Sequence, residues 1–112
     1  MKITTKEYEK ATVLALKGKI RIGAGDVALR EAIDRAVADG AKNVVLDFKG
    51  VSRIDSSGLG ELVAAHKKVT NLGGQLSLAH MSDNLLNVVG ATQIVSILDV
   101  FGSQEEALAS FE

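Results

Sequence analysis

Ile3 to Tyr8 and Thr12 to Lys17 are two short β-leaning runs set around Glu9, Lys10 and Ala11, which predicts an opening antiparallel hairpin. From Asp26 the period changes. Leu29, Ile33 and Val37, with Ala32 and Ala36 beside them, recur at helical spacing; Asp26 is placed to cap the first turn and Gly40 to end the last. Asn43 to Phe48 then carries Val44, Val45 and Leu46 in an unbroken apolar run, as expected of a central strand covered on both faces. After an expected loop from Lys49 to Ile54, Leu59, Leu62, Val63, His66 and Val69 mark a second amphipathic helix, stopped by Gly73-Gly74. Gln75 to Ala79 reads as a strand, Ser82 to about Val89 as a short helix closed by Gly90, and Ile97 to Phe101 as the last strand. Ser103-Gln104-Glu105-Glu106 has the form of a capping box and opens a final helix.

These elements alternate in the order ββαβαβαβα without linker-like stretches or internal repeats, which predicts an α/β fold in one domain over residues 1–112. A mixed sheet of about five strands with about four helices follows from that order. The core is expected to draw on Val13, Leu14, Leu16, Leu29, Ile33, Val44, Val45, Leu46, Leu62, Val63, Leu76, Leu78, Leu86, Ile97, Leu98 and Leu108. With 46% apolar and 24% charged residues, the 112-residue chain has the composition of a globular domain. Its interior must be aliphatic, because Tyr8, Phe48, Phe101 and Phe111 are the only aromatics.

Charge and cysteine content narrow the function classes. A net charge of -1, with both signs interleaved, gives no single-signed field for a nucleic-acid backbone or an anionic membrane, so neither is expected as a partner. Without Cys there are no disulfides, thiolate metal sites or cysteine nucleophiles. Met1 to Lys10 has no apolar core of a signal peptide, and no apolar stretch approaches the roughly 18 residues of a membrane span. A cytoplasmic location is the expectation.

Chemistry concentrates at Ile54-Asp55-Ser56-Ser57-Gly58-Leu59-Gly60, where a strand and loop hand the chain into a helix. Unpaired backbone donors and the positive end of the helix dipole favour negative charge at such a start, so the fold would tolerate a phosphate there. Two readings of the polar residues stand. One of Asp55, Ser56 and Ser57 caps the helix and nothing more, since a cap needs a single short polar side chain. Alternatively the segment is a contact surface, for Gly58 and Gly60 each cost about 1 kcal/mol in a helix and must be kept for something.

The same residues carry a resemblance. Val44 to Gly74, with Asp55-Ser56-Ser57-Gly58-Leu59-Gly60 inside it, resembles the anti-sigma factor antagonists of the STAS domain family. Leu16-Lys17-Gly18, Val44-Val45-Leu46-Asp47-Phe48, Gly73-Gly74 and Glu106-Ala107-Leu108 extend the likeness essentially end to end. The resemblance implies a single STAS domain whose Ser56 is phosphorylated by a partner that is both ATP-dependent serine kinase and anti-sigma factor. A serine phosphatase reverses the step. In the unmodified state, Asp55, Ser57, Gly58, Leu59 and Gly60 would dock on the anti-sigma factor and free a sigma factor for transcription. The likeness departs at Gly18 to Asp26, where Lys19 and Arg21 stand in place of the acidic residue that many relatives carry. In the family fold this loop lies near the phosphorylated serine, so Lys19 and Arg21 are candidate phosphate or partner contacts; the alternative is two solvated charges. Gly23-Ala24-Gly25 completes neither a dinucleotide fingerprint nor a Walker loop and reads as a flexible turn.

An enzyme is not expected. Ile54 occupies the place of the first Gly of a nucleophile elbow around Ser56. His66 falls on an apolar helical stripe, where it packs at the core edge, and His80 follows a strand end and is expected to be exposed. Asp47 and Asp55 read as strand-end and loop residues, no spacing suits a metal, and no cofactor is called for; magnesium would come with the kinase's ATP. The other function classes are a structural STAS subunit of a larger signalling or lipid-transport assembly, not switched at Ser56, and a small hydrolase.

Overall fold

The computed structural model describes residues 1–20, 25–91 and 98–111. Within them the chain runs β1 (Lys2–Glu7), β2 (Thr12–Ile20), α1 (Asp26–Ala38), β3 (Asn43–Ile54), α2 (Ser56–Asn71), β4 (Gln75–Ala79), α3 (Asp83–Ala91), β5 (Asp99–Phe101) and α4 (Gln104–Ala109), the order the sequence predicts. The strands form one sheet in chain order, β1 antiparallel to β2 and the rest parallel, with β3 at its centre.

Chain order has a consequence for the faces. Parallel strands added one after another in the same direction by right-handed crossovers must all place their connecting helices on one side of the sheet. Leu29 and Ile33 of α1, Leu59, Leu62, Ala65 and Val69 of α2, and Leu85 of α3 accordingly share one core with Leu14, Leu16, Leu46, Phe48, Leu76 and Leu78. The opposite face belongs to α4 alone among the described helices. There Ala107 closes a smaller cluster with Ala11, Val13, Val45 and Ala79, flanked by Phe101, Leu108 and Phe111.

Several expectations need correction. β3 continues to Ile54 through the stretch expected to be a loop. The reason lies in its register with β2. Ala15 pairs with Asp47 but Lys17 with Gly50, and Gly18 with Val51 but Lys19 with Arg53, so β3 carries an extra residue at each of two bulges. Buried residues therefore recur at Phe48, Val51 and Ile54, a spacing of three that hides a strand from a period-of-two reading. Gly50 permits the close pairing, since a Cβ there would lie 2.8 Å from the Leu16 carbonyl oxygen. Gly25, with φ 101°, takes the N-cap position of α1 that was expected of Asp26, whose Oδ1 instead accepts from the Val27 N–H. In α3, which continues past Gly90, the fully buried leucine is Leu85, and Leu86 is half-buried. Val63 and Leu108 are also half-buried, and Ile97 lies outside the described residues.

Asp47, expected at a strand end, sits in the middle of β3 and is 7% exposed. Its Oδ1 accepts from the Lys49 N–H at 2.9 Å and lies 2.9 Å from His80 Nδ1; its Oδ2 accepts from Gln104 Nε2 at 2.8 Å. Because an ionised carboxylate can only accept, Nδ1 is the protonated nitrogen of His80 in this contact. His80 was expected to be exposed, but it turns the chain out of β4 in the left-handed region, φ 57°, and buries most of its ring against Asp47. Few residues adopt that backbone readily, and His is among those that do. Gln104 is the first residue of α4, so this network fastens α4 to the sheet face it covers. Ser103 caps α4 by accepting from the Glu106 N–H, while the Glu106 carboxylate reaches the Gly102 N–H at 3.3 Å, one residue short of a reciprocal capping box.

Burial pushes the Asp47 carboxyl up, but the Lys49 amide, His80 and Gln104 together bring it below its ordinary value of 3.8. The folded state thus holds the ionised form more tightly than the unfolded chain does. The resulting stability is fully present above about pH 4 and is lost as pH falls through the folded value. Asp47→Asn should lower stability at neutral pH by about 1–3 kcal/mol and flatten the acid limb below about pH 4, as read by urea unfolding across pH. On the same face Ser77 is fully buried, and its Oγ has no partner among the described residues. Ser77→Ala should therefore leave stability unchanged or raise it by about 1 kcal/mol, and a clear loss in thermal unfolding would contradict that account.

Candidate functional site

The first turn of α2 is set by contacts on three sides. The Asp55 N–H donates to the Ile20 carbonyl at 3.0 Å, tying the strand-to-helix junction to the end of β2. Asp55 itself is extended, φ −108° and ψ −174°, and its Oδ1 accepts from the Gly58 N–H at 3.0 Å. Its carbonyl accepts from the Leu59 N–H, the first bond of the helix. Asp55 is thus the N-cap, and the cap role left open between three residues is filled by one of them.

That assignment releases the two serines. Ser56 is the first residue of the helix and is exposed; Ser57 is half-buried. Neither hydroxyl makes a hydrogen bond among the described residues. The N–H groups of Ser56 and Ser57 lie in the first turn, where the helix offers no carbonyl to receive them. The first turn also contains no acidic residue after the cap. Negative charge added to the Ser56 hydroxyl would meet these donors and the positive end of a 16-residue helix.

The two glycines of the motif differ. Gly58 is buried: a Cβ there would lie 2.6 Å from Ile20 Cγ2, 2.6 Å from Ile54 Cγ1 and 2.8 Å from the Ile20 carbonyl oxygen. Leu59, 6% exposed, points into the main core. Gly60 has open space where a Cβ would stand and is exposed. The side chains that the motif presents outward are therefore those of Ser56 and, in part, Asp55 and Ser57, beside the bare backbone of Gly60. Gly58 and Leu59 act by holding that surface in place.

Lys19 is exposed and pairs in register with Arg53. It precedes the buried Ile20, so the pleat of β2 turns it to the sheet face away from α2. Arg21, Gly23 and Ala24 lie outside the described residues. His66 sits half-buried on α2 as expected, with Nδ1 buried and unpartnered among the described residues. Among the described residues no group of three or more His, Asp or Glu side chains could hold a metal ion, and no helix is long and apolar enough to cross a membrane. The feature that sequence reasoning missed is the Asp47–His80–Gln104 network. Its one signal is a carboxylate set within the apolar run Val44 to Phe48.

Residues 2–107 match the family model of the STAS domain. The anti-sigma-B factor antagonist of Bacillus subtilis is 30% identical over 103 residues, 92% of this chain and 93% of that protein. The crystal structure of an anti-sigma factor antagonist from Mycobacterium paratuberculosis superposes with a TM-score of 0.86 at 22% identity, covering 98% of this chain and 92% of that one. The Bacillus cell fate determinant SpoIIAA in its phosphorylated form gives a TM-score of 0.74 at 19% identity, with 99% and 100% covered. The family-model match over residues 2–107, with the Bacillus subtilis relative at 30% identity over 92% of the chain, places this chain in the STAS domain family.

Proposed function

We propose that the protein is an anti-sigma factor antagonist that works as a phosphorylation-controlled protein-binding switch in the cytoplasm, and that it has no catalytic activity of its own. Unmodified, it binds an anti-sigma factor that is also a serine kinase, and a sigma factor is released for transcription. Phosphate on Ser56 ends that contact, and a serine phosphatase restores it. The observation that carries this reading is the exposed Ser56 hydroxyl at the start of α2, left without a structural duty because Asp55 caps the helix. The name of the Bacillus subtilis relative supports it.

The physics of the switch is local. A phosphate brings a charge of about -1.5 to -2 at neutral pH and acceptor oxygens that require water or cations. Free in solution, the helix start accepts that charge and the fold is unperturbed. Pressed against a partner, the same group must be desolvated, and a loss of about 3 kcal/mol weakens binding a little more than 100-fold. Gly60 fits the same reading. It gives up about 0.5–1 kcal/mol of helix stability with no neighbour among the described residues within 4 Å of a Cβ there, a cost that the approach of another chain would account for.

Titrated against its cognate kinase, Ser56→Asp should bind at least about 100-fold more weakly than Ser56→Ala, and incubation with that kinase and ATP should place one phosphate on Ser56. Equal affinities of the two variants, or phosphopeptide mapping to another residue alone, would reject the switch. The glycines give a paired test with opposite signs. Gly60→Ala should raise stability by about 0.5–1 kcal/mol in urea unfolding yet weaken kinase binding, whereas Gly58→Ala should destabilise by about 1–3 kcal/mol through overpacking against Ile20 and Ile54. Unchanged binding by a stabilised Gly60→Ala would remove the glycine from the interface.

A further inference from the structure

Lys2, Lys17, Lys19, Lys49 and Arg53 are all exposed, and each is the immediate neighbour of a side chain that packs in or against the main core: Ile3, Leu16, Ile20, Phe48 and Ile54 respectively. The pleat turns Lys2, Lys17 and Lys19 to the other face of the sheet, Arg53 joins them by register opposite Lys19, and Lys49, in the first bulge of β3, stands exposed beside Gly50, the partner of Lys17. There they are brought together by register, Lys2 opposite Lys17 across β1 and β2, and Lys19 opposite Arg53 across β2 and β3. Among the described residues none of the five has a carboxylate within ion-pair distance; the acid nearest on that face of β3, Asp47, is committed to His80, Gln104 and the Lys49 amide. Helix α4 packs on β3, β4 and β5, and the five cations are left exposed.

We propose that this cationic plate on the open face of β1, β2 and β3 is a second docking surface, built for a carboxylate-rich face of a partner protein and separate from the Ser56 helix. The whole chain has thirteen Lys and Arg against fourteen Asp and Glu, so gathering five cations here leaves the remainder distinctly acidic. Such a molecule attracts a partner with a local acidic patch and turns other faces away, which sets orientation and association rate. The plate covers only roughly 10 Å across the strands and 13 Å along them. A nucleic-acid interface buries about 600 Å² or more even for a single module and gains from aromatic stacking, and no aromatic stands among the five. A lipid surface needs a second signal beside basic residues for stable attachment, and Met1, seated beside Gly18, is a single exposed apolar side chain. Four of the five cations are Lys, a compact point charge suited to solvated carboxylates.

The test uses the full chain with three probes at matched low and physiological salt: poly-L-glutamate, duplex DNA and phosphatidylserine vesicles. The triple variant Lys17→Glu, Lys49→Glu, Arg53→Glu should bind poly-L-glutamate at least about tenfold more weakly than the parent, and the neutral triple Lys17→Gln, Lys49→Gln, Arg53→Gln should fall between them. All three substitutions are on exposed positions, and an unchanged thermal unfolding transition certifies the fold. Ser56→Asp should leave poly-L-glutamate binding within twofold, so a failure of the plate and a failure of the Ser56 switch read separately. Equal binding by the parent and the charge-reversed variant overturns the proposal, as does tighter binding of DNA or vesicles than of poly-L-glutamate.

Discussion

The contact on which this molecule depends is the close approach of the first turn of α2 to the ends of β2 and β3. It is made possible by the missing side chain of Gly58, packed against Ile20 and Ile54, and fixed by the hydrogen bond from Asp55 to the Ile20 carbonyl. A Cβ at position 58 would stand 2.6 Å from Ile20 Cγ2 and Ile54 Cγ1 and 2.8 Å from the Ile20 carbonyl oxygen, so the helix start or those side chains would have to give way. The cap by Asp55, the inward turn of Leu59 and the outward placement of Ser56 all follow from that one fit. A hydroxyl on a frayed segment would be as exposed, but it would not be held in one place.

The second constraint is the hand of the crossovers. Because β2 to β5 are added in chain order, α1, α2 and α3 crowd one face, and among the described helices α4 has the other to itself. A helix of six residues cannot cover five strands. Its anchoring is correspondingly polar: Gln104 to Asp47 does for α4 what a larger apolar stripe does for α2. Burial of the Asp47 charge is tolerable because three donors converge on it, and His80 accepts an uncommon backbone conformation to be one of them.

Element order, the central position of β3 and the helical stripes were legible in the sequence, since each depends on local periodicity over several residues. The end of β3 was not. Two bulges stretch the spacing of its buried residues to three, and only the partner strand reveals that Val51 and Ile54 belong to a ladder. The site was legible as a helix start rich in small polar residues, but sequence alone could not assign the cap. Asp, Ser and Ser have similar capping tendency, and the choice of Asp55 rests on a bond to Ile20, thirty-five positions earlier in the chain. Gly58 and Gly60, alike in composition, proved opposite in environment for the same reason: what surrounds a glycine is a tertiary fact.

Interleaved charges along a chain do not guarantee interleaved charges on a surface. The reading of a net charge of -1 as an absence of any one-signed field averaged over sequence neighbours, whereas a sheet face samples every second residue of several strands. Alternation in β1 and β2, and the register of the bulged β3 on β2, send the apolar neighbours of Lys2, Lys17, Lys19, Lys49 and Arg53 into the core and leave the cations exposed. The same pleat that buries the core thus builds the charged surface, and neither can be shifted by a residue without inverting both. A phosphate on Ser56, as proposed, and the cations of the sheet face would be held by one scaffold, so a partner that met both would be read in a single orientation.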